Sequence, residues 1–170
     1  MKTRDLTYMA VYLALFAVLD FIANTVPLFQ MPNGGSLGLG VIPLLLASYH
    51  LGWKKGVLVG VLSIIIQELV GQLYIVDFAQ FLLEYVIAFG VYGLAVVFKN
   101  FKIGAVTVYT GVIVTNLIRF LAHWFAGVYY WGLDWAGSAV YNSGYMLATT
   151  ILCIILVPLI VPRLGKVLKN

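Results

Sequence analysis

Apolar residues run along this chain in six long stretches, not in a pattern of alternating polar and apolar positions. The stretches lie at about Leu6–Val26, Leu37–Leu51, Gly56–Gln72, Phe78–Phe98, Ile103–Phe125 and Tyr141–Val161, the second and third being short. A helix crosses a bilayer with about 17–25 mainly apolar residues. Continuous runs favour helices over a barrel, because a helix satisfies its own backbone in lipid. The pattern predicts an all-α integral membrane protein, a six-transmembrane-helix bundle in which residues 1–170 form a single transmembrane domain. The run from Leu6 to Ile22 is longer than a signal-peptide core, and no small-x-small cleavage site follows it, so it reads as a retained first helix.

Composition and charge sharpen this picture. Hydrophobic residues make up 63% of the chain and charged residues 9%, with a mean hydropathy of +1.03. A soluble domain needs about a quarter of its residues charged, so lipid is the expected solvent for most of the exterior. Lys2 and Arg4 precede the first stretch, and Lys54 and Lys55 separate the second from the third. Lys99 and Lys102 separate the fourth from the fifth, and Arg163, Lys166 and Lys169 follow the sixth. The other connections, around Pro27–Ser36, Leu73–Asp77 and Val128–Val140, hold no Lys or Arg. Nine of the ten basic residues therefore fall on one side, and the positive-inside rule places both termini in the cytoplasm. The pI near 9.2 follows from these residues and implies no nucleic-acid partner.

Ionisable groups inside a span face a partner or a watery cavity. The tenth basic residue, Arg119, lies within the fifth stretch, and Asp20 and Glu68 lie toward the outer ends of the first and third. An ion pair of Arg119 with Glu68 or Asp20 is the expected packing role, favoured over a ligand role. Glu84 and His123 are set apart from these. His123 follows Arg119 by four residues and shares its helix face. Glu84 lies at a similar depth, with Tyr85 beside it, Tyr74 in the preceding loop and Trp131 at the outer mouth. An acid, an imidazole and aromatic faces at one depth suit a pocket for a flat, polar or cationic ligand. An inter-helix Glu–His hydrogen bond, with an interfacial aromatic belt of Tyr129, Tyr130, Trp131, Trp135 and Tyr141, is the alternative reading.

The motif search is otherwise negative. There is no P-loop, no H-E-x-x-H, no G-x-S-x-G and no cysteine–histidine cluster. The single cysteine, Cys153, sits in an apolar run as a small core residue, and His50 is far from His123, so neither a metal site nor a cofactor is expected. Ala10 with Ala14 and Gly56 with Gly60 are small-residue pairs that allow close helix approach.

The segments from Gly71 through Asp77 to Tyr85, from His123 through Gly127 to Trp131, from Tyr141 to Met146, and from Met31 to Ser36 together resemble the thiamine-specific S components of energy-coupling factor (ECF) transporters. The likeness spans nearly the whole chain in the same order, and six helices with both ends inside is that family's architecture. It implies that Glu84, His123 and Asn142 bind the vitamin through polar contacts. Trp131, Tyr85, Tyr74 and Gly127 then line its pocket, with Trp131 stacking on it. It also implies that Ala10 and Ala14 dock the first helix on a transmembrane coupling subunit served by two ATPase subunits, which agrees with the absence of a P-loop. Two departures stand out. Gly137 occupies the place of a ligand-contacting tyrosine, for which Tyr141 and Tyr145 are the candidate substitutes, and the first outer loop offers Phe29, Gln30 and Met31 where some members carry a tryptophan lid.

The expected function is capture of thiamine from outside for ATP-driven import, with no enzymatic activity. The alternatives are an S component for another vitamin or a pyrimidine-type heterocycle, a membrane enzyme using Glu84 and His123 as acid and base, and a non-transport protein whose intramembrane charges only hold helices together. The enzyme is disfavoured because no activated nucleophile or metal set accompanies the pair.

Overall fold

The apolar stretches fold into helices that bury their small and aromatic residues against one another and leave long aliphatic ones outside. The computed structural model describes residues 2–26, 30–31, 34–69, 73–104 and 106–167, the last three through their backbone alone. The helices are α1 (Thr3–Thr25), α2 (Val41–Leu51), α3 (Trp53–Leu69), α4 (Phe78–Val97), α5 (Thr110–Tyr129) and α6 (Trp135–Val167). Among the described residues α1, α4, α5 and α6 are long and apolar enough to cross a membrane. Leu6, Val11, Val18 and Phe21 on α1 and Leu147, Ile151, Ile155 and Leu159 on α6 are exposed, an exterior that suits lipid.

The short α2 is the hub. It packs against α1, α3, α4 and α6, and every residue from Val41 to Ser48 is buried. Its 11 residues rise roughly 16 Å, about half the hydrocarbon thickness. The expected span from Leu37 is therefore corrected: residues 37–40 are not helical. This stretch stays inside the protein, where the Gly38 N–H donates to Thr149 Oγ1 at 2.8 Å. Phe16, Leu44, Leu45, Val59 and Tyr92 form the centre of the core around α2, and Cys153 is buried there as expected.

The helix α4 is regular only in parts. It opens as an α-turn over Phe78–Phe81, widens to a π-helix over Leu82–Ile87, and tightens to a 3₁₀-helix over Val91–Val97. From Phe89 onward the helix is pressed from both sides by glycines. A Cβ on Gly60 of α3 would lie 2.5 Å from the Phe89 carbonyl oxygen, and one on Gly111 of α5 would lie 1.9 Å from that of Ala95. Gly56 likewise abuts Ser48 and Gly93, so the Gly56/Gly60 pair does serve helix packing within the chain. Ser48 repairs the local hydrogen bonding, donating to the Gly93 carbonyl at 2.7 Å and accepting from Val96 N at 3.1 Å.

Two further expected boundaries move, and a hairpin appears among the described residues. Phe101–Ile103 (β1) pairs antiparallel with Val106–Val108 (β2), so the all-α expectation gives way to a mostly helical fold with one small hairpin. Ile103, Val106, Thr107 and Val108 are β-branched and suit a pleated ribbon, and Gly104 at φ +59° supports the reversal. The fifth helix accordingly starts at Thr110 rather than Ile103 and runs on to Tyr129. The sixth starts at Trp135 rather than Tyr141 and continues through Pro158 and Pro162. Asp134 sets that start by accepting from Gly137 N at 2.5 Å, the action of an N-cap.

The close approach at Gly111 predicts that Gly111→Val destabilises the protein by about 3 kcal/mol or more, because the clash is with backbone. Leu117→Val on the exposed face of the same helix leaves the melting temperature in detergent unchanged within error. Equal melting temperatures for the two variants would contradict this packing.

Candidate ligand-binding site

At the end of the bundle that carries residues 34–36, 73–77 and 130–134, side chains of α1, α3, α4, α5 and α6 line a cavity of about 620 Å³. That is within the usual range for a small-molecule site, roughly 300–1,000 Å³. All seven residues singled out as ligand contacts, Tyr74, Glu84, Tyr85, Gly127, His123, Trp131 and Asn142, line it. Ala10 and Ala14 lie elsewhere, exposed on α1.

The wall is built one element at a time. On α4, Asp77 caps the helix by accepting from Gln80 N at 2.8 Å. One turn on, Gln80 is fully buried. Its amide donates to the Tyr74 carbonyl at 3.0 Å and to Glu84 Oε2, and its Oε1 accepts from Val76 N at 3.3 Å. Tyr85 clasps the same loop, its hydroxyl accepting from Tyr74 N at 2.9 Å. The π-helical turn turns Glu84 toward α5, where its Oε1 lies 3.4 Å from His123 Nδ1. The Trp131 indole N–H is shared between the two Glu84 oxygens at 3.1 and 3.2 Å. The Tyr74 ring lies 5.5 Å from that of Trp131.

On α5, Arg119, His123 and Gly127 repeat at four-residue intervals and share one face. Gly127 is a close contact, since a Cβ there would fall 2.1 Å from Ser138 Oγ of α6. Ser138 Oγ donates to the Trp124 carbonyl at 2.8 Å, and Asn142 donates to the Ser138 carbonyl at 2.9 Å. The Asn142 Oδ1 accepts from the Tyr145 hydroxyl at 2.7 Å. Tyr145 lies over Gly35, and Tyr141 donates to the Gly34 carbonyl at 2.6 Å. Both tyrosines line the cavity, whereas Gly137 does not and belongs to the α6 cap. Of the first outer loop, Pro27, Phe29, Pro32 and Asn33 lie outside the described residues, as do Gly71 and Gln72.

The expected ion pair of Arg119 with Glu68 or Asp20 is not made. Among the described residues no carboxylate comes within ion-pairing distance of Arg119. Glu68 is exposed and outside the cavity wall, while Asp20 shares that wall with Arg119. The guanidinium instead lies over the rings of Phe89 and Tyr92, 4.8 and 5.9 Å from their centroids, and Arg119 Nε lies 3.5 Å from His123 Nε2. Aromatic faces attract a cation once water is excluded, which explains how the group is accommodated without a carboxylate contact. Gln80 escaped the reading of the sequence, although its place three residues after Asp77 and four before Glu84 put it on the Glu84 face of α4. Asp20 and Asn24, which close the α1 side of the cavity, escaped it as ligand-facing groups.

Comparison with known proteins places this arrangement. A family model described as thiamine transporter protein (Thia_YuaJ) matches residues 6–169. The thiamine transporter ThiT of Bacillus subtilis (strain 168) is 29% identical over 178 aligned positions, covering 95% of this chain and 92% of that protein. The solved structure of ThiT from Listeria monocytogenes shares the fold, with a TM-score of 0.72 over 94% of this chain and 96% of that one, at 22% identity. With the family model spanning nearly its entire length, the chain belongs to the thiamine transporter protein family.

Proposed function

We propose that this integral membrane protein is a substrate-capturing S component, taking thiamine from the outer face for import driven by a separate ECF module. Membership in a transporter family removes the ground for reading Glu84 and His123 as an acid–base pair of an enzyme. The observation that carries the proposal is the cluster around Glu84: an anionic acceptor walled by His123, Trp131, Tyr74 and Asn142 in one cavity. Thiamine joins an aminopyrimidine to a cationic thiazolium. The carboxylate accepts from the ring amine and offsets the positive charge, and the indole and phenol rings stack on the heterocycles. His123 and Asn142 complete the polar contacts, and Tyr85 and Gln80 hold the loop that carries Tyr74.

In this reading all six helices cross the membrane. The short α2 does so together with residues 34–40, since irregular backbone at membrane depth is tolerated where it lines a cavity inside protein. The basic residues Lys2, Arg4, Lys54, Lys55, Lys99, Lys102 and Arg163 mark the cytoplasmic side, and the cavity opens outward. Ala10 and Ala14 form the flat, exposed strip of α1 on which a coupling subunit sits, its two ATPase subunits supplying the energy.

Thiamine added to the detergent-purified protein should quench tryptophan fluorescence saturably with a submicromolar midpoint, because Trp131 exchanges its bond to Glu84 for the ligand. Loss of a hydrogen bond to a charged group is worth about 1.5–3 kcal/mol, so Glu84→Gln and His123→Ala weaken binding at least about tenfold. Gln80→Ala, which frees both Glu84 and the Tyr74 loop, weakens it to a lesser degree. Unchanged binding in both Glu84→Gln and His123→Ala would remove this site.

The orientation is tested with an impermeant maleimide on intact cells, using Cys153→Ser as background. Leu133→Cys is labelled directly, and Lys102→Cys only after permeabilisation; the reverse result inverts the topology. With a reconstituted ECF module, Ala10→Trp/Ala14→Trp abolishes uptake yet binds thiamine normally. Uptake at the normal rate in that variant would place the docking surface elsewhere.

A further inference from the structure

We infer that Arg119 is a positioning residue that holds His123 as its Nδ1–H tautomer and so aims an N–H at Glu84. The consequence for ligand binding rests on the site proposed above, but the tautomer itself does not. A guanidinium has donors and no acceptor. Arg119 Nε lies 3.5 Å from His123 Nε2, so that nitrogen is the acceptor. In a neutral imidazole the one proton is then on Nδ1, the atom 3.4 Å from Glu84 Oε1. Which ring nitrogen carries the proton is set by the partner of the other.

The geometry holds Arg119 to this task. It is 8% exposed, lies one turn before His123 on α5, and is seated on Phe89 and Tyr92 of α4. The titratable and charged groups that share the cavity wall with His123 are Glu84 and Tyr85 from α4, Tyr74 from the loop before it, Arg119 from its own helix, Tyr141 and Tyr145 from α6, and Asp20 of α1. Of these, Glu84 and Arg119 make direct polar contacts with the ring. An Nε2–H would point at the guanidinium, and the bare Nδ1 would then face a carboxylate oxygen, acceptor against acceptor. With Arg119 in place both conflicts vanish. Glu84 gains a third donor beside Gln80 and Trp131, and a neutral imidazole leaves its negative charge uncancelled for a cationic ligand.

The test is the nitrogen-15 spectrum of histidine-labelled, detergent-purified full-length protein without vitamin, because ring-nitrogen shifts separate protonated from bare positions. The chain has two histidines, and a His50→Gln variant assigns the signals. Wild-type His123 should show a protonated Nδ1 and a bare Nε2. Arg119→Met, which lacks a donor, should move the proton to Nε2 or average the two positions, and Arg119→Lys should restore the wild-type pattern. Thiamine affinity should follow, falling about tenfold in Arg119→Met and returning to within about threefold in Arg119→Lys. A protonated Nε2 in the wild type, or a wild-type pattern in Arg119→Met, overturns the inference. If Arg119→Met does not fold, the wild-type spectrum decides alone. A wild-type protein with the expected tautomer that binds no thiamine sinks the thiamine reading and supports the tautomer.

Discussion

A carboxylate inside a bundle surrounded by lipid is costly unless donors meet it on every side, and the cavity is organised around that requirement at Glu84. Its donors come from three places in the chain: Gln80 one turn earlier on α4, Trp131 in the segment after α5, and His123 on α5. None of them is placed by its own helix alone. The π-helical turn sets the direction of Glu84, and the glycine contacts of Gly60 and Gly111 set how closely α3 and α5 approach α4. Packing deep in the bundle and polar geometry at its mouth are therefore one construction.

The irregular backbone raises the same demand. Backbone that leaves the α-helical pattern inside the bundle frees N–H and C=O groups that need partners. Here the departures from α-helix lie in α4 and before α2, and side chains repair them. Ser48 serves Gly93 and Val96, and Thr149 serves Gly38. Each such bond is worth about 1 kcal/mol net, but leaving its buried partner unmade costs more. That asymmetry explains why Ser48 and Thr149 are polar residues at fully buried positions of an otherwise apolar core.

Much of this was legible in the chain itself, and the misses have physical causes. Long apolar runs announce helices because burial in lipid leaves few alternatives, so the existence of each helix was readable. Their ends were not: Ile103 to Val108 reads as more apolar helix, although its β-branched residues form a hairpin around Gly104. Asp134 carried a capping signal that the neighbouring aromatics obscured, which moved the start of α6 by nearly two turns. The meeting of Glu84 and His123 was readable from depth along two helices. Gln80 was not, since a glutamine inside a span gives no charge to notice. Arg119 misled because a buried cation suggests a carboxylate partner, whereas here two aromatic rings and an imidazole nitrogen receive it.

Charge is what connects the cavity to the proposed ligand. Its wall holds two carboxylates, Asp20 and Glu84, and one guanidinium, Arg119. With both acids ionised and His123 neutral, the wall carries a net single negative charge, placed where water is partly excluded and attraction is strong. A neutral heterocycle would leave that charge unbalanced, and an anion would be repelled by it. A heterocycle with one positive charge and an amine to donate satisfies the field and can take the place of a donor at Glu84. In the proposed site Trp131 then has two roles that exclude each other, donor to the acid and platform for the ligand. On that proposal the residue that keeps the carboxylate paired is the one the ligand displaces, and the hydrogen bond given up at Glu84 is replaced by one from the ligand.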